Sequence, residues 1–343
     1  MGVQLGELVS GEQIEFAEMA GKRIAIDALN SLYQFLSIIR QPTGEPLKDS
    51  LGRVTSHLSG LLYRNAKLIE YGILPVYVFD GRPSKLKSGV IEERKSLRRK
   101  ADDKWQRALA RGDIEEARIY AQQASQLSSE MLEDSKHLLE LMGIPHVEAP
   151  SEGEAQAAHM VSTGKVWAVG SQDYDSLLFG SDRLIRNLAI SGKRKVPRKN
   201  FYVSIKPEIM FLDKSLSKLK ISREQLIEIA ILIGTDYNPK GVGGIGPKKA
   251  YEMISEFGSA ERALREKNIE VDFDIEEIKK LFMEYETTDE YYMEWKKPDI
   301  EGLKKFLCDE RDFSAERVKN TVAKIETGIR EAKSQSSLDA WFS

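Results

Sequence analysis

The sequence predicts an α/β fold with a mainly parallel central sheet flanked by helices. Three short apolar runs rich in Val, Ile and aromatic residues end at turn residues: Arg23–Ile26 (RIAI), Leu74–Phe79 (LPVYVF) and Val166–Gly170 (VWAVG). That is the pattern of strands buried on both faces. Long helical patterns separate them, among them Ser56–Glu70 and Asp113–Met142, and a strand, helix, strand order lays successive strands parallel. With 343 residues, 41% hydrophobic and 31% charged, the chain can bury the core of one two-lobed domain or of two domains.

The other elements follow in order. From Arg82 to Arg111, eleven Lys and Arg stand against four Asp and Glu, and no apolar stripe is wide enough for a buried helix. A charge run of this kind ordinarily means a solvated helical face. Residues 189–205 have the pattern of a hairpin, with Ser191-Gly192 and the basic tip KRKVPRK. Arg223–Gly234 reads as a strongly apolar helix, Gly241–Gly246 as a glycine-rich loop, and the remainder to about Ile329 as helical and acidic. The end, Lys333–Ser343, is rich in Ser and Gln and reads as disordered until it meets a partner.

One cysteine, Cys308, cannot close an internal disulfide, and the four histidines lack zinc-site spacing. No secretion signal and no apolar run of membrane-spanning length is visible, so an intracellular, non-secreted protein is expected. The net charge of −3 speaks against a nucleic-acid binder, yet the basic stretches concentrate positive charge of the kind that displaces counterions from phosphates.

Acids stand where the strands end. Asp27 follows the first run, Asp80 the second, and Asp173 and Asp175 the third; Glu152 and Glu154 lie at a helix start and Asp236 follows the apolar helix. Each also has an ordinary reading: Asp27 as a helix cap, Asp80-Gly81 as a turn, Ser151 with Glu154 as a capping box. As a set they point to a cation, because carboxylates held together repel unless one neutralises them. Oxygen ligands without His or Cys select Mg²⁺, or Mn²⁺ in its place. Seven acids suit two ions, about 4 Å apart, for phosphodiester hydrolysis.

These residues resemble the flap endonuclease family of structure-specific 5′ nucleases, in its archaeal form, through IDALNSLYQFL, LKDSLGRVTSHLSGLLYR, PVYVFDGRPSKLKSG, PSEGEAQAA, GSQDYDSLLFG, IGTDYN and GVGGIGPKKA, spread over nearly the whole chain. The resemblance implies a PIN-like core with a two-metal site of Asp27, Asp80, Glu152, Glu154, Asp173, Asp175 and Asp236, in which Glu154, Asp173 and Asp175 stand nearest the ions. It turns the charged segment into a helical arch for the single-stranded 5′ end. There, Lys87 and Arg94, seven residues apart on one face, polarise the scissile phosphate, and Arg98 lies four further on. A solvated basic helix remains the alternative. Tyr33 would stack on a base near the cut or lie in the core, and Gly2 would lie close to the DNA. Gly243, Gly244, Gly246, Lys248 and Lys249 would grip duplex DNA in a helix-hairpin that often holds K⁺, with a plain turn as the alternative. Gln335, Leu338, Trp341 and Phe342 resemble a box that binds the DNA sliding clamp.

On this reading, residues 1–98 form an N-terminal nuclease region and 99–115 continue the arch. Residues 116–258 form an intermediate nuclease region, 259–328 a helical C-terminal part, and 329–343 a flexible tail. The expected activity is 5′-flap endonuclease and 5′-3′ exonuclease cleavage in Okazaki fragment maturation and DNA repair, by a monomer in the cytoplasm or nucleoid. Two alternatives compete. A noncatalytic junction adaptor of the clamp leaves the acids unexplained, and a phosphatase with Asp27 as nucleophile lacks the second Asp expected two residues later.

Overall fold

The computed structural model describes the backbone of residues 2–188, 192–195 and 202–342, with side chains except at 85, 88, 91, 192–195, 202–204 and 332–342. Among the described residues there are nine strands: β1 Glu12–Gln13, β2 Arg23–Asp27, β3 Leu74–Phe79, β4 His146–Glu148, β5 Ala168–Gly170, β6 Arg183–Arg186, β7 Gly192–Lys195, β8 Tyr202–Ile205 and β9 Glu208–Phe211. Seven of them form one sheet in the order β1-β9-β6-β5-β2-β3-β4. The run from β6 to β4 is parallel throughout, and β9 and β1 close one edge antiparallel. The mainly parallel sheet expected from the sequence is therefore present. Its centre is apolar: Ile24, Ala25, Val76, Val78, Ala168 and Val169 are fully buried, and each of the Ile and Val side chains contributes roughly 1.5–3 kcal/mol.

The described residues also form fourteen α-helices: α1 Ala28–Ile38, α2 Ser56–Glu70, α3 Ser88–Ala110, α4 Ile114–Gln123, α5 Ser129–Leu141, α6 Gly153–Ser162, α7 Asp175–Leu178, α8 Leu212–Leu219, α9 Arg223–Ile233, α10 Pro247–Phe257, α11 Ala260–Glu266, α12 Ile275–Met283, α13 Ile300–Leu303 and α14 Ala315–Phe342. α2 is mostly buried, packing on α1, α5 and α14. A Ser222–Gln225 capping box starts α9. No described helix is long and apolar enough to cross a membrane.

Four expectations change. The helix expected over Asp113–Met142 is two, because Ser128 accepts a hydrogen bond from Met131 N–H at 3.2 Å and starts α5 afresh. The strand expected from Val166 begins at Ala168, since Val166 N–H still bonds Met160 O of the preceding turn. Residues 285–299 form a non-helical strap instead of helix, pinned where Trp295 Nε1 donates to Pro75 O at 2.8 Å and Lys296 N–H to Gly143 O at 2.8 Å. The C-terminal segment continues α14 to Phe342 rather than leaving it as an irregular tail, because no Gly or Pro after Gly328 interrupts it. The hairpin is present as the antiparallel pair β7 and β8, while its tip, 196–201, lies outside the described residues.

Candidate active site

Parallel strands place their carboxyl ends on one edge, where ligands bind in such sheets. β2 ends in Asp27 and β3 runs into Asp80; β4 leads to Glu152 and Glu154 at the start of α6, and β5 to Asp173 and Asp175 at the start of α7. Asp236 arrives from the loop after α9.

Hydrogen bonds pin the acids. Asp27 accepts the Asn30 N–H at 3.0 Å through one oxygen and the Ser171 hydroxyl at 3.1 Å through the other. It is thus both the cap of α1 and a member of the cluster. Asn30 Nδ2 donates to Asp173 at 2.9 Å. Asp80 accepts the Gly153 N–H at 2.7 Å. Asp175 accepts the Val3 N–H at 2.9 Å, which draws the N-terminal segment into the site. There a Cβ on Gly2 would lie 2.6 Å from Asp173 Cβ and 2.9 Å from Asp175 Oδ1, so only glycine passes. The Ser151–Glu154 capping box is not formed: Glu152 is the cap residue of α6, without a side-chain cap bond.

The charged helix reaches the same edge. Lys87, at the end of the short turn before α3, pairs with Glu152 Oε2 and lies 3.8 Å from Asp236. Arg94 Nη2 donates to Asp236 Oδ1 at 2.5 Å. A purely solvated face is excluded for these two residues. Arg98, one turn on, stacks over Tyr33 with 4.7 Å between guanidinium carbon and ring centroid; Tyr33 is half-buried, not a core tyrosine.

Crowding shows in the protonation of the acids. Burial, then the charges of Asp80 and Asp173, pushes Asp27 up to about 7. Burial, Asp236 and Asp173 push Asp175 up to about 7 as well. Enclosure by protein and the nearby Glu152 raise Asp80 to about 6, an effect that solvent screens because this side chain lies at the open rim. Glu154 is held well above the usual carboxylate range by burial, Asp27 and Asp175. Asp236 moves the other way: burial opposes its charge, but the Arg94 hydrogen bond and Lys87 outweigh it. Burial likewise disfavours the Lys87 ammonium, and Glu152 and Glu154 more than compensate, keeping it protonated.

The donor set suits a hard cation, being carboxylate throughout. Glu152 Oε1 is buried without a hydrogen-bond partner, leaving an acceptor a cation could use. Among the described residues no three acidic, His or Cys side chains yet converge closely enough to enclose one ion; Lys87 and Arg94 supply part of the positive charge.

A second surface lies beyond Asp236. Gly241 adopts φ +52°, where a Cβ would meet Ile233 O at 2.3 Å. Val242 and Ile245 anchor the loop in the core while Gly243, Gly244 and Gly246 are exposed, and added Cβ atoms on these three would meet nothing within 4 Å. Gly246 caps α10, whose first turn presents the exposed Lys248 and Lys249. The side chains of Gln335, Leu338, Trp341 and Phe342 lie outside the described residues.

Sequence reasoning missed three neighbours of the acids. Asn30 bridges Asp27 and Asp173, Ser171 supports Asp27, and the Tyr237 ring centroid stands 5.0 Å from Lys87 Nζ. Each lies within three residues of an acid, and a polar side chain at that offset was the available signal.

A mainly parallel sheet with acids along its carboxyl edge, and Lys87 and Arg94 from the turn before α3 and from α3 itself paired to two of them, is the arrangement of an α/β nuclease core. Models of the XPG N-terminal domain and the XPG I-region match residues 1–101 and 143–236. The chain is 56% identical to flap endonuclease 1 of Pyrococcus abyssi over all of this chain and 98% of that one. It is 52% identical to that of Archaeoglobus fulgidus over the full length of both. The structure of flap endonuclease-1 from Methanococcus jannaschii matches with a TM-score of 0.76 at 45% identity, covering 96% of this chain and 99% of that one. The catalytic core of Rad2 in complex with DNA substrate matches with a TM-score of 0.71 at 25% identity, covering 95% and 100%. The chain belongs to the flap endonuclease family.

Proposed function

We propose that this chain cuts a single-stranded 5′ flap near its base at a duplex junction, leaving a ligatable nick, and also removes nucleotides from 5′ ends. Okazaki fragment maturation and DNA repair are the processes that need this reaction, and the chain acts in them as an archaeal-type intracellular monomer. The observation that carries the reading is that four strand ends and one loop bring seven acids to one edge of the sheet, with Lys87 and Arg94 ion-paired to Glu152 and Asp236 there. A junction adaptor would have no use for that arrangement.

Asp27, Asp80, Glu152, Glu154, Asp173, Asp175 and Asp236 would hold two Mg²⁺ ions, or Mn²⁺ in their place, with Glu154, Asp173 and Asp175 nearest. Bound there, the ions supply positive charge for an in-line phosphodiester hydrolysis. Lys87 and Arg94 exchange carboxylate partners for the scissile phosphate and meet its growing negative charge with donors already in place. Asn30 and Ser171 keep Asp27 and Asp173 aimed. The Tyr33 ring with Arg98 above it offers a stacking platform for a base, worth roughly 1–3 kcal/mol. Gly2 lets the N-terminal segment run beside the substrate. Gly243, Gly244 and Gly246 allow a duplex backbone to approach Lys248 and Lys249 at the start of α10, where a K⁺ would sit at the loop carbonyls. Gln335, Leu338, Trp341 and Phe342 bind the sliding clamp.

Asp175→Ala tests the reading. Cleavage of a 5′-flap duplex should fall below detection while flap affinity stays within a few-fold. Cleavage within tenfold of the parent would overturn it.

A further inference from the structure

We propose that Tyr237 is a positioning residue that sets the ammonium of Lys87 for its phosphate; this rests on the role given to Lys87 above. Lys87 closes a single short turn before α3, and its flexible stem ends in a point charge with no fixed directionality. Glu152 and Asp236 attract that charge, but both belong to the carboxylate edge and are surrendered as partners when phosphate arrives. The ring of Tyr237 remains. Its centroid is 5.0 Å from Lys87 Nζ, inside the range of about 6 Å in which an aromatic face attracts a cation.

The ring is buttressed from the core. Phe282, only 2% exposed, meets it edge-on at 5.4 Å and 81°. Phe282 in turn rests on Phe179 at 5.0 Å, and Tyr285 closes the stack on Phe179 at 5.3 Å. At the backbone, Tyr237 N–H donates to Thr235 Oγ1 at 3.1 Å, and Thr235 Oγ1 donates to Asn238 Oδ1 at 2.6 Å. Asn238 is tied to Ile231 O of α9 at 2.7 Å. A ladder of core aromatics thus fixes a surface over which the lysine head can settle. The face of the ring does this, so a phenyl ring suffices.

Single-turnover cleavage of a 5′-flap duplex by the full-length protein at saturating Mg²⁺ tests the proposal, with flap affinity measured by fluorescence anisotropy. Tyr237→Met keeps bulk and apolarity and removes the ring; the rate should fall about tenfold, equivalent to about 1.4 kcal/mol, with affinity and the Mg²⁺ midpoint unchanged. Tyr237→Phe should remain within twofold of the parent. In a Lys87→Ala background, Tyr237→Met should cost less than twofold more, because its route to the phosphate is gone. Independent, multiplying losses would overturn the proposal, as would a shifted Mg²⁺ midpoint, which would place the effect at Asp236, or a Tyr237→Phe variant as slow as Tyr237→Met. Should Tyr237→Met melt early, Phe282→Leu withdraws the edge support instead. A two- to fivefold loss, absent in the Lys87→Ala background, supports the proposal and an equal loss in both backgrounds overturns it. A parent that leaves flaps uncut, or a Lys87→Ala variant as fast as the parent, refutes the functional reading instead.

Discussion

Replacing Lys87 with Ala removes the cation most deeply set among the carboxylates. Its ammonium pairs with Glu152 and stands 3.8 Å from Asp236, with 15% of its side chain exposed. Two unit charges about 4 Å apart at an effective dielectric near 20 interact by about 4 kcal/mol. A phosphate at the same distance carries charge before and during reaction, so only the part that grows in the transition state appears in the rate. Loss of one such donor ordinarily costs on the order of 10²- to 10³-fold. Rapid-quench single-turnover kinetics on a 5′ flap should show that fall, with affinity changed less than threefold. A second consequence appears without substrate. The acids lose a partner, so the metal-free variant should be less stable by about 1–3 kcal/mol, below the roughly 3–5 of a fully buried pair because Arg94 still serves Asp236. Saturating Mg²⁺ should shrink that deficit. An unchanged single-turnover rate, or a fall matched by lost affinity, refutes the role.

Other outcomes follow from the same geometry. In metal-free protein, Asp27 and Asp175 titrate near 7, whereas unfolded Asp titrates near about 4. Between those values the folded chain holds more protons, so stability falls as pH rises through that window. Melting at pH 6 should therefore exceed melting at pH 8 by a margin that narrows in Asp175→Asn and with Mg²⁺; a margin untouched by both contradicts the raised acids. Gly241→Ala forces a Cβ to within 2.3 Å of Ile233 O; it should destabilise by roughly 1–3 kcal/mol in urea unfolding and weaken duplex affinity, and parental values of both would remove the loop from the grip. Deleting residues 335–343 should spare basal cleavage and abolish stimulation by the sliding clamp in a flap-cutting assay; stimulation that persists places the contact elsewhere.

Much of this was legible in the sequence for a physical reason. Strands buried on both faces must be continuously apolar, so RIAI and LPVYVF stand out and the acid after each marks a strand end. The strands of mixed composition, such as Arg183–Arg186 (RLIR) and Glu208–Phe211 (EIMF), begin or end in half-buried charged residues and blend into their surroundings. Ser128 broke a helical pattern that periodicity alone joined. Within the site, the acids and the spacing of Lys87 and Arg94 could be read because their chemistry is unusual. Their partners could not: the reach of Asn30 to Asp173 spans 143 positions, and the seating of Tyr237 against Lys87 depends on packing from α12. Gly2 was visible only as a resemblance until Asp173 and Asp175 closed around it.

The central claim is that the carboxylate edge and the basic helix cut a 5′ flap with the help of a divalent metal. Incubating the purified chain with a 5′-flap duplex, a 3′-flap duplex and a blunt duplex, each with and without Mg²⁺, tests it most directly. The account predicts Mg²⁺-dependent incision near the base of the 5′ flap, with the other two substrates cut far more slowly. Equal cutting of all three, or cleavage indifferent to Mg²⁺ and to EDTA, would contradict it.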